Sequence, residues 1–286
     1  MSMKLLTIIV LYRPDIDVLL KEIDSLKNES DEILLFQNSM LRDHEVKMIN
    51  DHLDEDRAKI RFVGNGANIG ISGALNFAMD WGANNSFTHL LTMDQDSHFE
   101  PGALKLFKHK IDLLSEKVDI GIYSANPVIN GKAMYKKNIE DVFHEIDTIT
   151  SGSIFSIPLL KHFGGFDNSL FIDAVDYEFC YRIFSLENKQ AVILPDVYLH
   201  HEFGYPTDIG FGLMSENYSA FRTYYIVRNH IVMWKRYPNL FRPEYKVRLV
   251  RTHIIIRSIK IILGEKDKWN KLKAIVKGII HGIAKK

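Results

Sequence analysis

The 286-residue chain holds a single cysteine, Cys180, so no intrachain disulfide and no thiolate metal cage can form. A reducing compartment fits that count. Long hydrophobic runs are also missing. Residues 5–11 are apolar but few, and Tyr12-Arg13-Pro14-Asp15 follows them without a small-residue cleavage site. Residues 62–79 carry no charge, yet they include Asn65, Asn68, Asn76 and four glycines, a polar load foreign to a bilayer-spanning helix. The expected location is therefore the cytoplasm, with no exported or spanning segment. Internal repeats and low-complexity linkers are absent as well. A composition of 46% hydrophobic, 25% charged and 11% aromatic residues excludes a disordered, collagen-like or disulfide-stapled chain. At this length one large α/β domain, alone or with a C-terminal appendage, is expected.

Net charge is zero, from 36 basic and 36 acidic residues, but the balance is uneven along the chain. Residues 235–286 carry 15 Lys and Arg against Glu244, Glu265 and Asp267, a net of +12. Removing those 15 and 3 from the 36 of each sign leaves 21 basic and 33 acidic side chains in the first 234 residues, a net of −12. An acidic body with a basic tail suggests two jobs. Between residues 245 and 263, Val247, Val250, Ile254 and Ile261 fall along one helix side with Arg248, Arg251 and Lys260 flanking it. Residues 268–286 interleave Leu272, Ile275, Val276, Ile279, Ile280 and Ile283 with lysines. Such helices can lie on an anionic membrane surface, apolar side down, so residues 244–286 are expected to dock there. The competing readings are packing of these stripes on the body or a homodimer. Nucleic acid is not expected, since no recognised binding module accompanies the charge.

Upstream of the tail, β-rich runs alternate with helical periodicity. Residues 4–11 read as a strand buried on both faces, and Pro14-Asp15 opens a helix with Ile16, Leu19, Leu20, Ile23 and Leu26 at helical spacing. Strands at 32–36, 60–63 and 87–93 are each preceded or followed by helical stretches at 43–53 and 71–82. Four strand-then-helix units imply a parallel sheet with helices on its faces. Beyond Pro101 a helix at 103–114 leads to strand-like pieces at 120–125, 141–146 and 149–157. A helix at 174–186 and a short strand at 191–194 follow, and from Glu216 the chain reads as helical with breaks at Pro238, Pro243 and Gly264.

Ligands of open parallel sheets bind at the carboxyl ends of the strands. That rule points to Tyr12-Arg13-Pro14, Gln37-Asn38-Ser39, Gly64 to Asn68 and Asp94-Gln95-Asp96. Two carboxylates at i and i+2 just past a strand can hold a hard divalent ion, Mg²⁺ or Mn²⁺, against a diphosphate; a capping or turn role is the alternative. Gly64-Asn65-Gly66-Ala67-Asn68-Ile69-Gly70 is an inexact glycine fingerprint, which keeps an NAD(P)-dependent Rossmann oxidoreductase as a second reading. Asp173 and Asp176 are three apart and share a face if the helix begins early, although Asp173 also suits a simple N-cap. His200-His201 can complete a divalent site, or be solvated. Phe221, Tyr224 and Tyr225 form a stripe that suits a core.

In order along the chain, these residues resemble the family 2 inverting glycosyltransferases, which have the GT-A fold. The resemblance covers Leu5 to about Gly204: Thr7-Ile-Ile-Val-Leu-Tyr12-x-Pro14, Asn68-Ile-Gly70 with Asn76, Asp94-Gln95-Asp96-Ser97, Gly165-Phe166-Asp167 with Phe171-Ile-Asp173-Ala-Val-Asp176-Tyr-Glu178-Phe-Cys-Tyr-Arg182, and His201-Glu-Phe-Gly204. With Tyr224-Tyr225-x-x-Arg228-Asn229, the pattern is most similar to the bacterial rhamnosyltransferase branch. The resemblance implies a Rossmann-like α/β fold with a mainly parallel sheet over residues 1–215, divided into a nucleotide-sugar half at 1–100 and an acceptor half at 101–215, plus a helical basic extension at 216–286. It implies Asp176 as catalytic base, and Tyr12, Pro14, Gln37, Asn68, Gly70, Asn76, Asp94, Gln95 and Asp96 around the donor. Asp94, Asp96 and His201 would hold Mg²⁺ or Mn²⁺, with Asp173, Arg182, Tyr224 and Arg228 as acceptor-side or supporting residues. The implied reaction is transfer of one sugar, with inversion, from a nucleotide-diphosphate sugar such as dTDP-L-rhamnose to a saccharide or lipid-linked acceptor, in building bacterial surface polysaccharide. The Gln-x-x-Arg-Trp motif of processive synthases is absent, which fits single additions. One departure stands out: Gln37 occupies the place where the family usually has Asp. A non-catalytic nucleotide-sugar-binding protein would keep the same loops without turnover.

Overall fold

A computed structural model describes residues 3–114, 117, 119–136, 142–201, 207–210 and 214–285, without the side chains of residues 54 and 55. The chain divides into two compact units, the first formed by Met1–Phe166 with Arg182–Glu202 and the second by Asp167–Tyr181 with Phe203–Lys286.

In the first unit, β1 (Leu5–Leu11) is buried at all seven positions, which its uninterrupted apolar run requires. Helix α1 (Ile16–Leu26) starts where Asp15 accepts hydrogen bonds from the backbone N–H of Asp17 and Val18, and it buries Leu19, Ile23 and Leu26. There follow β2 (Glu32–Gln37), α2 (Asp43–Leu53), β3 (Ile60–Val63), α3 (Gly70–Asn84), β4 (His89–Asp94), β5 (Ser97–Phe99) and α4 (Ala103–Leu114). The strands run β3-β2-β1-β4-β9-β6-β10-β5, with β6 (Ile120–Ile129), β7 (Lys132–Ala133), β8 (Phe143–Glu145), β9 (Ser153–Ser156) and β10 (Gln190–His201) completing the sheet. Pairings β3-β2, β2-β1 and β1-β4 are parallel, while β9 enters antiparallel between β4 and β6. Successive strands move outward from β1 to β3, and β4 then returns to the other side of β1. The carboxyl ends of β1 and β4 therefore flank a topological switch point. The expected α/β architecture, parallel in its first half, holds.

Two local readings change. Residues 149–157 do not form one strand: β9 stops at Ser156 and α5 (Ile157–His162) begins, because Pro158 presets helical φ in a first turn and has no N–H to continue a ladder. The strand expected at 191–194 extends to His201, and the pairing register with β6 shifts between Leu194 and Tyr198, where Pro195 sits. A bulge at proline lets the strand continue without the missing donor. β8 falls inside the expected 141–146, of which residue 141 lies outside the described residues.

The second unit receives the start of α6 (Val175–Glu187), the short pair β11 (Thr207–Asp208) and β12 (Met214–Ser215), and then α7 (Ala220–Arg236), α8 (Pro243–Arg248), α9 (Arg257–Leu263) and α10 (Lys268–Ala284). The breaks fall at the expected prolines and at Gly264. Between α8 and α9, residues Leu249–Ile256 form a π-helix, which the sequence pattern did not indicate. Helix α10 packs on α7 through Gly278 and Gly282, where an added Cβ would stand 3.0 Å from the Tyr224 carbonyl oxygen and 2.9 Å from that of Arg228. Val227, Ile261 and Ile275 form the core there, with Ile231, Ile254, Leu272 and Ile279 against it. Glu265 is buried and accepts from Arg257, from Lys271 at 2.7 Å and from Ser215 at 2.5 Å. Among the described residues no helix is long and apolar enough to cross a membrane.

Candidate active site

Strand β4 ends on Asp94, a turn at Gln95-Asp96 follows, and β5 starts at Ser97. Because β5 pairs antiparallel with β10, with Ser97 opposite His201, the end of β10 comes back beside the acidic turn. Ligand atoms of Asp94, Asp96 and His201 consequently lie within 4.8 Å of one another. His201 Nδ1 is 2.7 Å from Ser97 Oγ and 4.0 Å from an Asp96 oxygen. Buried Ser151 ties the cluster to the sheet: its hydroxyl accepts from the Asp94 N–H at 3.2 Å and donates to Ser97 Oγ at 3.1 Å. Beneath the cluster, Glu22 of α1 is fully buried, and neither carboxyl oxygen has a hydrogen-bond partner among the described residues. Burial first, and then the negative charges of Asp94 and Asp96, hold the Glu22 carboxyl well above the usual carboxylate range. Two carboxylates and one imidazole converging at one point fit a hard divalent cation. Residues 202–204 of the His-x-x-Gly segment lie outside the described residues.

The donor-side residues are carried on the same edge of the sheet. Val10 pairs with Asp94, so the loops beyond β1 and β4 meet. There the Tyr12 N–H donates to Gln95 Oε1 at 2.7 Å, and Gln95 Nε2 donates to the Tyr12 carbonyl at 3.2 Å. Tyr12 is half exposed and Arg13, before Pro14, has φ 52°. Gln37 is buried; its Oε1 accepts from the Leu41 N–H at 3.1 Å, and its carbonyl accepts from Gly66. Asn38 bridges this loop to the next, donating to the Gly70 carbonyl and accepting from the Ile69 N–H, both at 3.1 Å. Asn68 accepts from the Gly70 N–H at 3.0 Å. Gly64 and Gly66, at φ 83° and 79°, pack so tightly on Gln37 and Met40 that a Cβ would stand 3.0 Å from each. The glycines thus serve loop-on-loop packing. Asn76 is engaged from α3 with both hydrogen bonds to the Phe166 backbone at 2.8 Å. Arg182 donates to the Phe163 carbonyl and, at 2.6 Å, to that of Gly165.

Asp176 lies in the second unit, in the first turn of α6, half-buried, with one oxygen accepting from the Tyr177 N–H at 2.9 Å. The backbone leading to it is strained: Phe171, Asp173 and Ala174 have φ of 68°, 61° and 64°. Such left-handed conformations in non-glycine residues persist only where surrounding contacts impose them. Here α7 imposes them. Asn229 is buried and its amide donates to the carbonyls of Leu170, Ile172 and Asp173 at 2.9, 2.7 and 2.8 Å. Arg228 donates to Ser169 and Leu170 carbonyls at 2.5 and 3.2 Å, and to Asn229 Oδ1, while its guanidinium lies over the Tyr225 and Tyr224 rings. Phe171 stacks on Tyr225. Asp173 has one oxygen 3.4 Å from Arg222 and the other buried without a partner among the described residues; burial raises its pKa despite the Arg222 charge. Glu178 accepts from the Tyr237 hydroxyl at 3.0 Å.

This geometry sits in a recognised frame. Residues 7–179 match the family model described as Glycosyl transferase family 2. The chain is a family 2 glycosyltransferase. It is 24% identical over 298 residues to the dTDP-rhamnosyl transferase RfbF of Shigella flexneri, covering 99% of this glycosyltransferase and 96% of that protein. Among solved structures, GalNAc-T7 with UDP, GalNAc and Mn²⁺ superposes with a TM-score of 0.60 at 12% identity, over 99% of this chain and 56% of that one. The mannosyltransferase PcManGT of Pyrobaculum calidifontis, in complex with GDP-Man and Mn²⁺, gives 0.57 at 13% identity, over 100% and 76%. These likenesses establish the fold as GT-A type. Membership also removes the oxidoreductase reading, in agreement with the glycine loop's packing role.

The sequence gives no role to Ser151 or Glu22, and it names Asn38 and Asn229 only as members of a loop and of a motif. Asn229 alone carried a usable signal, its place in Tyr-Tyr-x-x-Arg-Asn; the others are short polar residues or a helix carboxyl that only the topology brings to the site.

Proposed function

We propose that this glycosyltransferase moves a single sugar from a nucleotide-diphosphate sugar to an acceptor hydroxyl with inversion of configuration. The observation that carries this reading is the convergence of Asp94, Asp96 and His201 within 4.8 Å at the carboxyl edge of a family 2 sheet. Those three residues would hold Mg²⁺ or Mn²⁺, and when bound the ion offsets the charge of the departing diphosphate. Tyr12, Pro14, Gln37, Asn68, Gly70, Asn76 and Gln95 shape the donor loops, several of them through the loop-to-loop bonds described above. Asp176 accepts the proton of the acceptor hydroxyl as its oxygen attacks the anomeric carbon from the face opposite the leaving group. A single displacement without an enzyme nucleophile inverts that carbon. Arg228 and Asn229 position Asp176 by fixing the strained turn before it; Asp173, Arg182 and Tyr224 support the acceptor side.

The likeness to the dTDP-rhamnosyl transferase RfbF supports dTDP-L-rhamnose as the donor, and bacterial surface polysaccharide is the product class we propose with it. The acceptor is then a saccharide or a lipid-linked saccharide. Residues 244–286 hold the enzyme on the cytoplasmic face of an anionic membrane, where a lipid-linked acceptor would be presented. The test is a panel of nucleotide sugars with Mg²⁺ or Mn²⁺ and saccharide acceptors, reading released nucleoside diphosphate, followed by NMR of the product's anomeric configuration. Turnover with dTDP-L-rhamnose and an inverted product is expected. Retention of configuration would refute the single displacement, and donor binding without turnover would favour the non-catalytic alternative.

A further inference from the structure

The C-terminal stripes do not face as helical spacing from the sequence implied. Ile261 is fully buried and Ile254 packs against the Val227–Ile261–Ile275 core, so two of the four residues expected on the outer side turn inward. The π-helix is the cause. Its wider turn adds about one residue per turn relative to an α-helix, so the outward stripe steps from Val250 to Ile255 rather than to Ile254. The exposed residues are then Val247, Val250, Ile255, Ile259 and Ile262, at 59%, 43%, 51%, 49% and 57% exposure. At the N-terminal end of this stripe lies an open groove of about 310 Å³ walled by Trp234, Val247, Val250 and Ile255, with Lys246 and Arg251 on its rim.

Five large aliphatic side chains in one row are unlike the singly scattered apolar residues of an ordinary surface. The charge around them is mainly positive, with Glu216 against Lys260 as an acidic neighbour. Lys246, Arg248 and Arg251 flank the row, Glu244 is the only acidic residue between 243 and 263, and Arg251 forms no ion pair among the described residues. In an isologous contact between two copies, these same cations would be set against one another. We propose that the outer face of α8, the π-helix and α9 seats in the headgroup layer of an anionic bilayer, with the groove beside Trp234 receiving a lipid acyl chain and Lys246 and Arg251 meeting lipid phosphates. This deepens the membrane reading above and rests on it; it is independent of the sugar or acceptor.

The test uses the full chain with vesicles of phosphatidylcholine alone or with 30% phosphatidylglycerol, in low and high salt. Binding is followed by sedimentation and by Trp fluorescence, with Trp234→Phe identifying that residue's signal. Expected is binding about 10-fold or more stronger to the anionic vesicles, weakened by salt, with a blue shift carried by Trp234. The double variant Val250→Glu/Ile255→Glu should lose about 10-fold or more in partitioning, and Lys246→Glu/Arg251→Glu should lose the anionic preference. Val276→Glu/Ile280→Glu, at exposed positions on α10, should stay within about 2-fold of wild type. Melting curves check that the substituted, exposed positions leave the fold intact; should the Val250/Ile255 variant melt early, the Lys246/Arg251 variant decides. Wild type that ignores vesicles overturns the membrane reading and this face together. Wild type that binds while the groove variants bind equally well overturns the face alone. A dimer broken by Val250→Glu/Ile255→Glu, without vesicle binding, assigns the face to a second copy instead.

Discussion

At the residue scale, the site separates groups that would meet the reacting molecules from groups that hold them in place, and the two kinds should fail differently. Asp96→Asn removes one of the three proposed cation ligands, and activity is expected to fall on the order of 100-fold, with EDTA acting similarly on wild type. Initial rates across a Mn²⁺ titration check this, and full turnover after EDTA would refute it. Asp176→Asn keeps shape but cannot take a proton; kcat should fall about 100- to 10,000-fold with donor affinity unchanged by calorimetry. Asn229→Asp is nearly isosteric, yet a carboxylate cannot donate to the three carbonyls that Asn229 now holds. Leaving such buried acceptors unsatisfied costs about 1–3 kcal/mol each in the worst case, so Asn229→Asp should lower Tm. It should also lower kcat well beyond its effect on the donor KM, because the loosened turn carries Asp176. Loss of Tm with an unaltered kcat would reduce Asn229 to a purely structural role.

At the element scale, the sequence was most legible where one segment decides its own structure. The all-apolar β1, the Pro14-Asp15 start of α1 and the acidic turn after β4 were readable because burial, capping and turn chemistry are local. Elements fixed by distant partners were not. The continuation of β10 through Pro195 comes with a bulge against β6, and the π-helix sets Ile254 against Val227, Ile261 and Ile275 of other elements. The candidate site followed the same rule: Asp94, Asp96, His201 and Asp176 stood out by motif and Asn229 by its place beside Arg228, while Ser151 became visible only through the Asp94 N–H that it holds. The π-helix also has a pH consequence. His253 lies in it, its ring tilted against that of His230 of α7, and is held down to about 4 by burial and then by His230, Arg248 and Arg257. The unfolded chain would protonate His253 near 6.5. A folded pKa below the unfolded one means its contribution is complete above pH 6.5 and is lost as pH falls toward 4. Wild type should therefore lose about 2 kcal/mol of stability from this group between pH 7 and 5. In His253→Gln that slope should flatten, as read by chemical denaturation at both pH values; an equal slope in both proteins would assign the pH dependence elsewhere.

At the scale of the whole molecule, the C-terminal helices are part of a core rather than a detachable tail. The segment Asp167–Tyr181, which carries Asp176, belongs to the same compact unit as α7 to α10. Asp167 is tied to Arg236 of α7 at 2.6 Å, Ser169 accepts from Arg228 and from Lys285, and Glu178 accepts from Tyr237. Helix α7 in turn buries Val227 against Ile261 and Ile275. A chain ending at Asn239 would keep Arg228, Arg236 and Tyr237 but remove Lys285 and the Ile261 and Ile275 packing that holds α7. It would also strip away Glu265, Arg257 and Lys271, whose buried ion pairs join α9 and α10 and reach Ser215 of β12. Every residue assigned to the donor and the cation lies in the other unit. Truncation at Asn239 is thus expected to cut transfer about 100-fold or more, because α7, which holds the turn before the proposed base Asp176, loses the core behind it. Binding of the nucleoside diphosphate with Mn²⁺, measured by calorimetry, should persist within about 10-fold, since the donor loops and the cation cluster hold one another through bonds internal to the first unit. A truncated chain that transfers sugar at near full rate would show that α7 alone supports Asp176 and that α8 to α10 are not needed for transfer.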